Sequence, residues 1–278
     1  MQLTNEKPVT GTIRARFNYI VDTGVPPVRY IDWPEMEHKA VPPQYRPYEM
    51  AIRDGRPLRD AFRLDVHGFV FVDHVTRVGD FMDEAERKNV YDPEVQALIR
   101  KHSGASDVVV FDHTIRASDD EARGSSSIRP TMKNVHNDYT ETSAPQRLRE
   151  IVGDAEAERR FKKRWAIIQV WRPIRGKVLI DPLAICDGRS IPQKGFIRVE
   201  RRYPYRTGEV YHIAHNPAHE WYYFPEMARD EALVFKVFDS DAGMPSRFTA
   251  HSAFDDPATP AGAPPRESIE TRTFAFFD

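Results

Sequence analysis

The chain has 278 residues, 40% hydrophobic and 29% charged, enough for one packed core with at most a modest appendage. Its 40 basic and 42 acidic side chains leave a formal charge of −2, which excludes a whole-molecule attraction to nucleic acid or anionic lipid. No apolar run approaches the roughly 20 residues that span a bilayer, and a single cysteine, Cys186, excludes an internal disulfide framework. The first residues also lack the apolar stretch of a secretion signal. The expectation is a cytoplasmic protein, with no membrane or nucleic-acid partner, whose metal ligands would be histidine and carboxylate.

In chain order, residues 12–33 read as extended, and the proline-interrupted stretch 33–50 reads as a connection. Phe69 to Val72 predicts a short strand. Pro93 to Lys101 has helical spacing with a stop at Gly104, and Val108 to Phe111 predicts another strand. The strongest helical region is 145–164, divided at Gly153. Beyond it the β-formers concentrate in WAIIQVWRPI, EVYHIAH, EALVFKVFDS and SIETRTFAFF, separated by loops rich in Pro, Gly and Asp. That order predicts a mainly β barrel or sandwich with helices outside it. The 22 prolines argue against a helical bundle, and no Gly-rich phosphate loop supports a nucleotide-binding α/β fold.

The segment KNVHNDYTETSAP, residues 133–145, carries the chemistry. On an extended backbone His136 and Asp138 point to one side, because strand periodicity is two. With one distant imidazole they would form a two-histidine, one-carboxylate face that leaves positions open for oxygen and a second ligand. His251, in FTAHSAF, is placed for that part. An HxD triplet alone is common and is usually surface or turn chemistry. Here it is followed by PPRESIETRTFAFF, where Arg266, Ser268 and Arg272 share strand parity. Two guanidinium forks and a hydroxyl on one face suit a carboxylate. The plainer reading pairs an arginine with Glu267 or Glu270.

With HNDYT at 136–140, WRPIRGKVLIDPLAICDGRS at 171–190, EVYHIAHNPAHEWYYFPEM at 209–227, LVFKVFDS at 233–240, HSAF at 251–254 and RESIETR at 266–272, the chain resembles a known family. It is similar to the iron(II)/2-oxoglutarate-dependent oxygenases of the hydroxylase/desaturase group of specialised-metabolite biosynthesis. That group includes fungal biosynthetic hydroxylases and the oxygenase component of cephamycin methoxylation. The resemblance covers most of the chain after about residue 100. It implies a double-stranded β-helix, a cupin-like jelly-roll with peripheral helices. It also implies iron(II) on His136, Asp138 and His251, with 2-oxoglutarate as cosubstrate and molecular oxygen as oxidant. The far carboxylate of 2-oxoglutarate would meet Arg266 with Ser268, and Arg272 competes for that role. Residues 1–278 would be one catalytic domain: N-terminal strands and helices of 1–100 packing around the jelly-roll, and 101–278 forming the oxygenase core with a helical insertion near 145–164. The implied reaction is hydroxylation or desaturation of a small organic metabolite.

Candidate substrate contacts are Tyr211, His212, Trp221 and Tyr222 in the aromatic stretch, together with Tyr139, Trp171 and Arg172. His215 and His219 are four apart, but Asn216-Pro217 argues against placing them on one helix, which favours a structural or pocket-lining part. Cys186 has no catalytic base at recognisable spacing. Two other classes stay open: a cupin-like metal-dependent isomerase or hydrolase without 2-oxoglutarate, and a noncatalytic small-molecule-binding β-domain.

Overall fold

The computed structural model of the protein describes residues 11–119 and 128–278. Its organisation follows from the strand Trp165–Pro173 (β8), in which all nine residues are buried. A strand apolar on both faces must lie between two layers. Trp165, Ile167 and Trp171 enter the main core, whereas Ala166, Ile168 and Val170 join a second cluster on the other face. The helix Asp92–Ser103 covers that second face with Val95, Leu98 and Ile99, spaced as one helical stripe. It ends at Gly104, whose φ of 75° is the left-handed conformation that glycine adopts without a Cβ penalty.

In chain order the other strands are Thr12–Ile20 (β1), Val28–Tyr30 (β2), Tyr45–Asp54 (β3), Phe69–Asp73 (β4), Asp107–Ala117 (β5), Arg129–Pro130 (β6) and His136–Asn137 (β7). After β8 come Leu183–Cys186 (β9), Phe196–Arg202 (β10), Thr207–Ile213 (β11), Trp221–Tyr223 (β12), Glu231–Asp239 (β13), Ala250–Ala253 (β14) and Glu267–Phe276 (β15). They make a nine-stranded sheet ordered β1-β3-β12-β9-β14-β7-β11-β10-β2 and a six-stranded sheet ordered β4-β13-β8-β15-β5-β6. The two sheets close on the main core as a jelly-roll.

Two features differ from the sequence reading. The stretch 33–50 is only partly a connection: its last residues begin β3, a ten-residue strand that pairs along the whole of β1. Pro47 sits opposite Asn18 in that ladder without ending it. The N-terminal hundred residues also enter both sheets, through β1, β2 and β3 in one and β4 in the other. The predicted helical region is split at Gly153 into Ser143–Val152 and Asp154–Arg160.

Candidate metal centre

Cross-strand register assembles the site. Tyr222 lies opposite Ile185, Ile185 opposite His251, His251 opposite His136, and His136 opposite His212. These five side chains form one row across β12, β9, β14, β7 and β11. Two of its members, 115 residues apart in sequence, are thus adjacent imidazoles with ring centroids 4.3 Å apart. Asp138 follows directly after β7, and its Oδ1 lies 3.5 Å from His136 Nε2. One ligand atom from each of His136, Asp138 and His251 falls within 4.8 Å of the other two. Among the described residues this is the one such group of three.

The donors are prepared for a metal. His136 Nδ1 faces the Asn134 carbonyl at 2.8 Å, so it holds the proton and leaves Nε2 as a lone pair. Burial, followed by the neighbouring His251, depresses the His136 pKa to about 3. Burial likewise takes His251 to about 4. Both rings are therefore neutral at physiological pH, the form that ligates. His251 Nδ1 has no hydrogen-bond partner, an orphaned buried atom in an otherwise polar site. Asp138 Oδ2 accepts from Gln169 Nε2 at 2.8 Å and from Arg272 Nε and Nη2 at 3.0 and 2.7 Å. Burial opposes the charge of Asp138, but the Arg272 guanidinium outweighs it and holds the carboxyl well below the usual range. The arrangement fits a divalent cation, offering two neutral imidazoles and one fixed carboxylate within reach of one another.

The two arginines have different surroundings. Arg272 is saturated, donating also to Asp112 Oδ2 and Thr114 Oγ1 at 2.7 Å each and to Glu270. The pairing with Glu270 is therefore real for Arg272. Arg266, 3% exposed, donates to the Asp181 carbonyl and lies over the Trp171 ring at 5.4 Å. Its Nε and the hydroxyl of Ser268 have no partner. Burial lowers the Arg266 pKa to about 10, which still leaves it charged at neutral pH.

The candidate substrate residues separate. Tyr139 lines a cavity of about 280 Å³ whose wall includes Asp138 and Arg272. Trp171 lies opposite Glu270 in register, and His212 continues the histidine row with its Nδ1 3.2 Å from Tyr45 Oη. Tyr222 ends the row, its hydroxyl accepting from Arg53. The structure does not bring Arg172 to this group. Its parity puts it on the other face of β8, where it bonds His74 and the Arg229 carbonyl. Trp221 stacks on Phe17 at 4.4 Å and donates to Tyr19 Oη, on the opposite side of β12 from Tyr222. Tyr211 packs against Phe196 and Phe248, alternating with His212 along β11. His215 stacks on Tyr48 and His219 bonds Tyr19 Oη.

Sequence reasoning passed over Gln169 and gave Glu270 only as an ion-pair partner. The signal for Gln169 was there, a lone amide inside the apolar run WAIIQVW.

Comparison with known proteins decides the family. Residues 17–276 match the family described as an oxidoreductase/YMDC permease-like domain. The chain is 31% identical to the hydroxylase/desaturase efuI of Hormonema carpetanum over 98% of its own length and 97% of that protein. It is 32% identical to the Fe(II)/2-oxoglutarate-dependent dioxygenase nvfI of Aspergillus novofumigatus over 84% of each. The chain belongs to this family of iron(II)/2-oxoglutarate-dependent hydroxylases and desaturases. A solved structure of the iron and α-ketoglutarate-dependent endoperoxidase NvfI superimposes with a TM-score of 0.87 at 27% identity, covering 97% of this chain and 99% of that one. This oxygenase is accordingly an enzyme that uses iron(II), 2-oxoglutarate and molecular oxygen to oxidise a small organic metabolite.

Proposed function

We propose that this oxygenase holds iron(II) on His136, Asp138 and His251, receives the far carboxylate of 2-oxoglutarate on Arg266 and Ser268, and admits its metabolite through the cavity beside Asp138. The observation that carries the reading is the pair of orphaned donors, Arg266 Nε and Ser268 Oγ, buried two residues apart. An unsatisfied buried donor costs about 1 to 3 kcal/mol, so a site that keeps two of them suits a ligand that fills both. Arg272 serves the carboxylate of Asp138 instead, because its donors are already committed there and to Asp112, Thr114 and Glu270.

Bound iron(II) supplies oxygen activation, with 2-oxoglutarate providing electrons and leaving as succinate and carbon dioxide. The chain's own groups set the conditions. Gln169 and Arg272 fix Asp138 so that Oδ1 faces the histidines, and the Asn134 carbonyl fixes the His136 ring. Trp171, over Arg266, excludes water from that charge and strengthens its pull on a carboxylate. The whole described chain acts as one catalytic unit, since strands from both its halves build the two sheets. No helix among the described residues is long and apolar enough to cross a membrane, and the one cysteine is a buried free thiol. That thiol is consistent with work in the reducing cytoplasm.

The test is anaerobic titration with iron(II) and then 2-oxoglutarate, followed by the visible absorption that chelation produces, and by succinate once oxygen is admitted. His136→Ala and His251→Ala should each remove both signals while circular dichroism stays native. A chelation band that survives both substitutions would place the iron elsewhere.

A further inference from the structure

The cavity of about 280 Å³ reaches from the surface to Asp138 and Arg272. One wall is the helix Ser143–Val152, which presents Ser143, Gln146, Arg147 and Glu150 at i, i+3, i+4 and i+7. The facing wall is the β10–β11 hairpin, which brings Arg201 and Arg206, and β6 contributes Arg129. We infer that this cavity is built for an organic anion, a carboxylate-bearing metabolite, with Arg201 and Arg129 as its anchors; this rests on reading the triad beneath it as the reaction centre.

Nearly all the acids in the cavity wall are already engaged. Asp138 is held by Gln169 and Arg272, and Asp112 accepts from Arg272. Glu150 accepts from Arg147 and Gln146, and Glu209 accepts from Thr140 Oγ1 at 2.8 Å. Only Asp32 is left. In contrast, Arg129, Arg201 and Arg206 form no ion pair among the described residues. The Arg206 guanidinium lies over the Tyr203 ring at 4.3 Å, which leaves its in-plane N–H groups to donate outward.

An independent feature of the sheet ladders points the same way. Arg201 stands opposite Arg29 where β10 pairs β2, and Arg129 stands opposite Arg116 where β6 pairs β5. Like charges directly opposite each other destabilise a ladder. Arg116 already has Glu270 and Asp138 as nearby counter-charges; the Arg201–Arg29 pair makes no ion pair among the described residues and calls for a counter-charge from the cavity. Parity along β10, from Ile197 opposite His212 to Arg201, puts Arg201 on the same sheet face as His212 and His136. An anion bound there would therefore sit on the metal's side of the sheet.

The test uses a library of small carboxylic acids paired with their methyl esters, presented to the protein by ligand-detected NMR. It is run metal-free and then anaerobically with iron(II) and saturating 2-oxoglutarate. Acids should bind at least roughly tenfold more tightly than their esters, with the preference kept when 2-oxoglutarate is present. Arg201→Gln and Arg129→Gln should each abolish most of that preference. Esters binding as well as acids would overturn the inference, as would a preference that 2-oxoglutarate removes or that both variants retain. Succinate formation is followed in parallel. Arg201-dependent acid binding without succinate would sink the reaction reading and leave the anion pocket standing; succinate with no acid preference would do the reverse.

Discussion

Arg272 grips Asp138 by one oxygen only: its Nε and Nη2 both reach Oδ2, at 3.0 and 2.7 Å, and Gln169 Nε2 reaches the same atom at 2.8 Å. Oδ1 is left to face His136. The arginine on the deeper part of β15 is thus a partner of the ligand carboxylate.

From this relationship, Arg272→Gln should weaken iron(II) binding, by about 10- to 100-fold, as losses around metal ligands commonly do. Gln169→Leu should act in the same direction with a smaller effect. Equilibrium dialysis against a competing chelator gives the measurement. Unchanged iron affinity in Arg272→Gln together with a large rise in the 2-oxoglutarate Kd would reverse the parts assigned to the two arginines.

Arg266→Ala should produce the complementary defect. Its loss should cost 2-oxoglutarate binding roughly 2 to 5 kcal/mol while iron(II) binds as before. Ser268→Ala, which removes one neutral donor, should cost about 1 kcal/mol. Anaerobic titration of each variant separates the two affinities. Wild-type affinity for 2-oxoglutarate in Arg266→Ala would refute the anchor.

Arg172→Met should lower stability and spare chemistry. Truncation strips donors from the half-buried His74 and Arg229 carbonyls, a loss on the order of 1 to 3 kcal/mol. Thermal denaturation should show a lower Tm, while kcat and the KM for 2-oxoglutarate of the folded protein stay near wild type. A selective rise in the substrate KM with an unchanged Tm would bring Arg172 back to the pocket.

Gly188→Ala should also destabilise. A Cβ at this position would overlap Ser246 Oγ and the Phe248 carbonyl oxygen, and the second is backbone that cannot turn aside. Overpacking of this kind costs typically about 1 to 3 kcal/mol. Urea denaturation with an unchanged m-value would locate the effect in the native state. Wild-type stability would show that the β9–β14 region can yield.

Much of this protein can be read from local pattern. The apolar run of β8, the alternation along β15 and the stop at Gly104 each depend on neighbours in sequence, so strand, face and helix end were legible. That His136 and Asp138 come together was legible for the same reason, since period two puts both on one side. Arg266 and Ser268 followed from parity along one strand. β3 was hidden because Pro42, Pro43 and Pro47 suppress its propensity, and its stability comes from pairing with β1, whose partners lie 25 to 41 residues away and in no local window.

Other features were decided only in three dimensions. Parity says that Trp171 and Arg172 face opposite ways, but only the packing of the helix Asp92–Ser103 shows which face is the core of the jelly-roll and which lies beneath the helix. The aromatic stretch divides for the same reason: Tyr222 joins the histidine row and Trp221 turns away to Phe17. Arg266 and Arg272 are equivalent forks in sequence; what separates them is that Asp138 and Asp112 reach Arg272 from other strands and leave Arg266 its free donor. Composition and periodicity determine which groups exist and which side of a strand they take. Which charges meet is set by register between distant strands, and register is a property of the whole sheet.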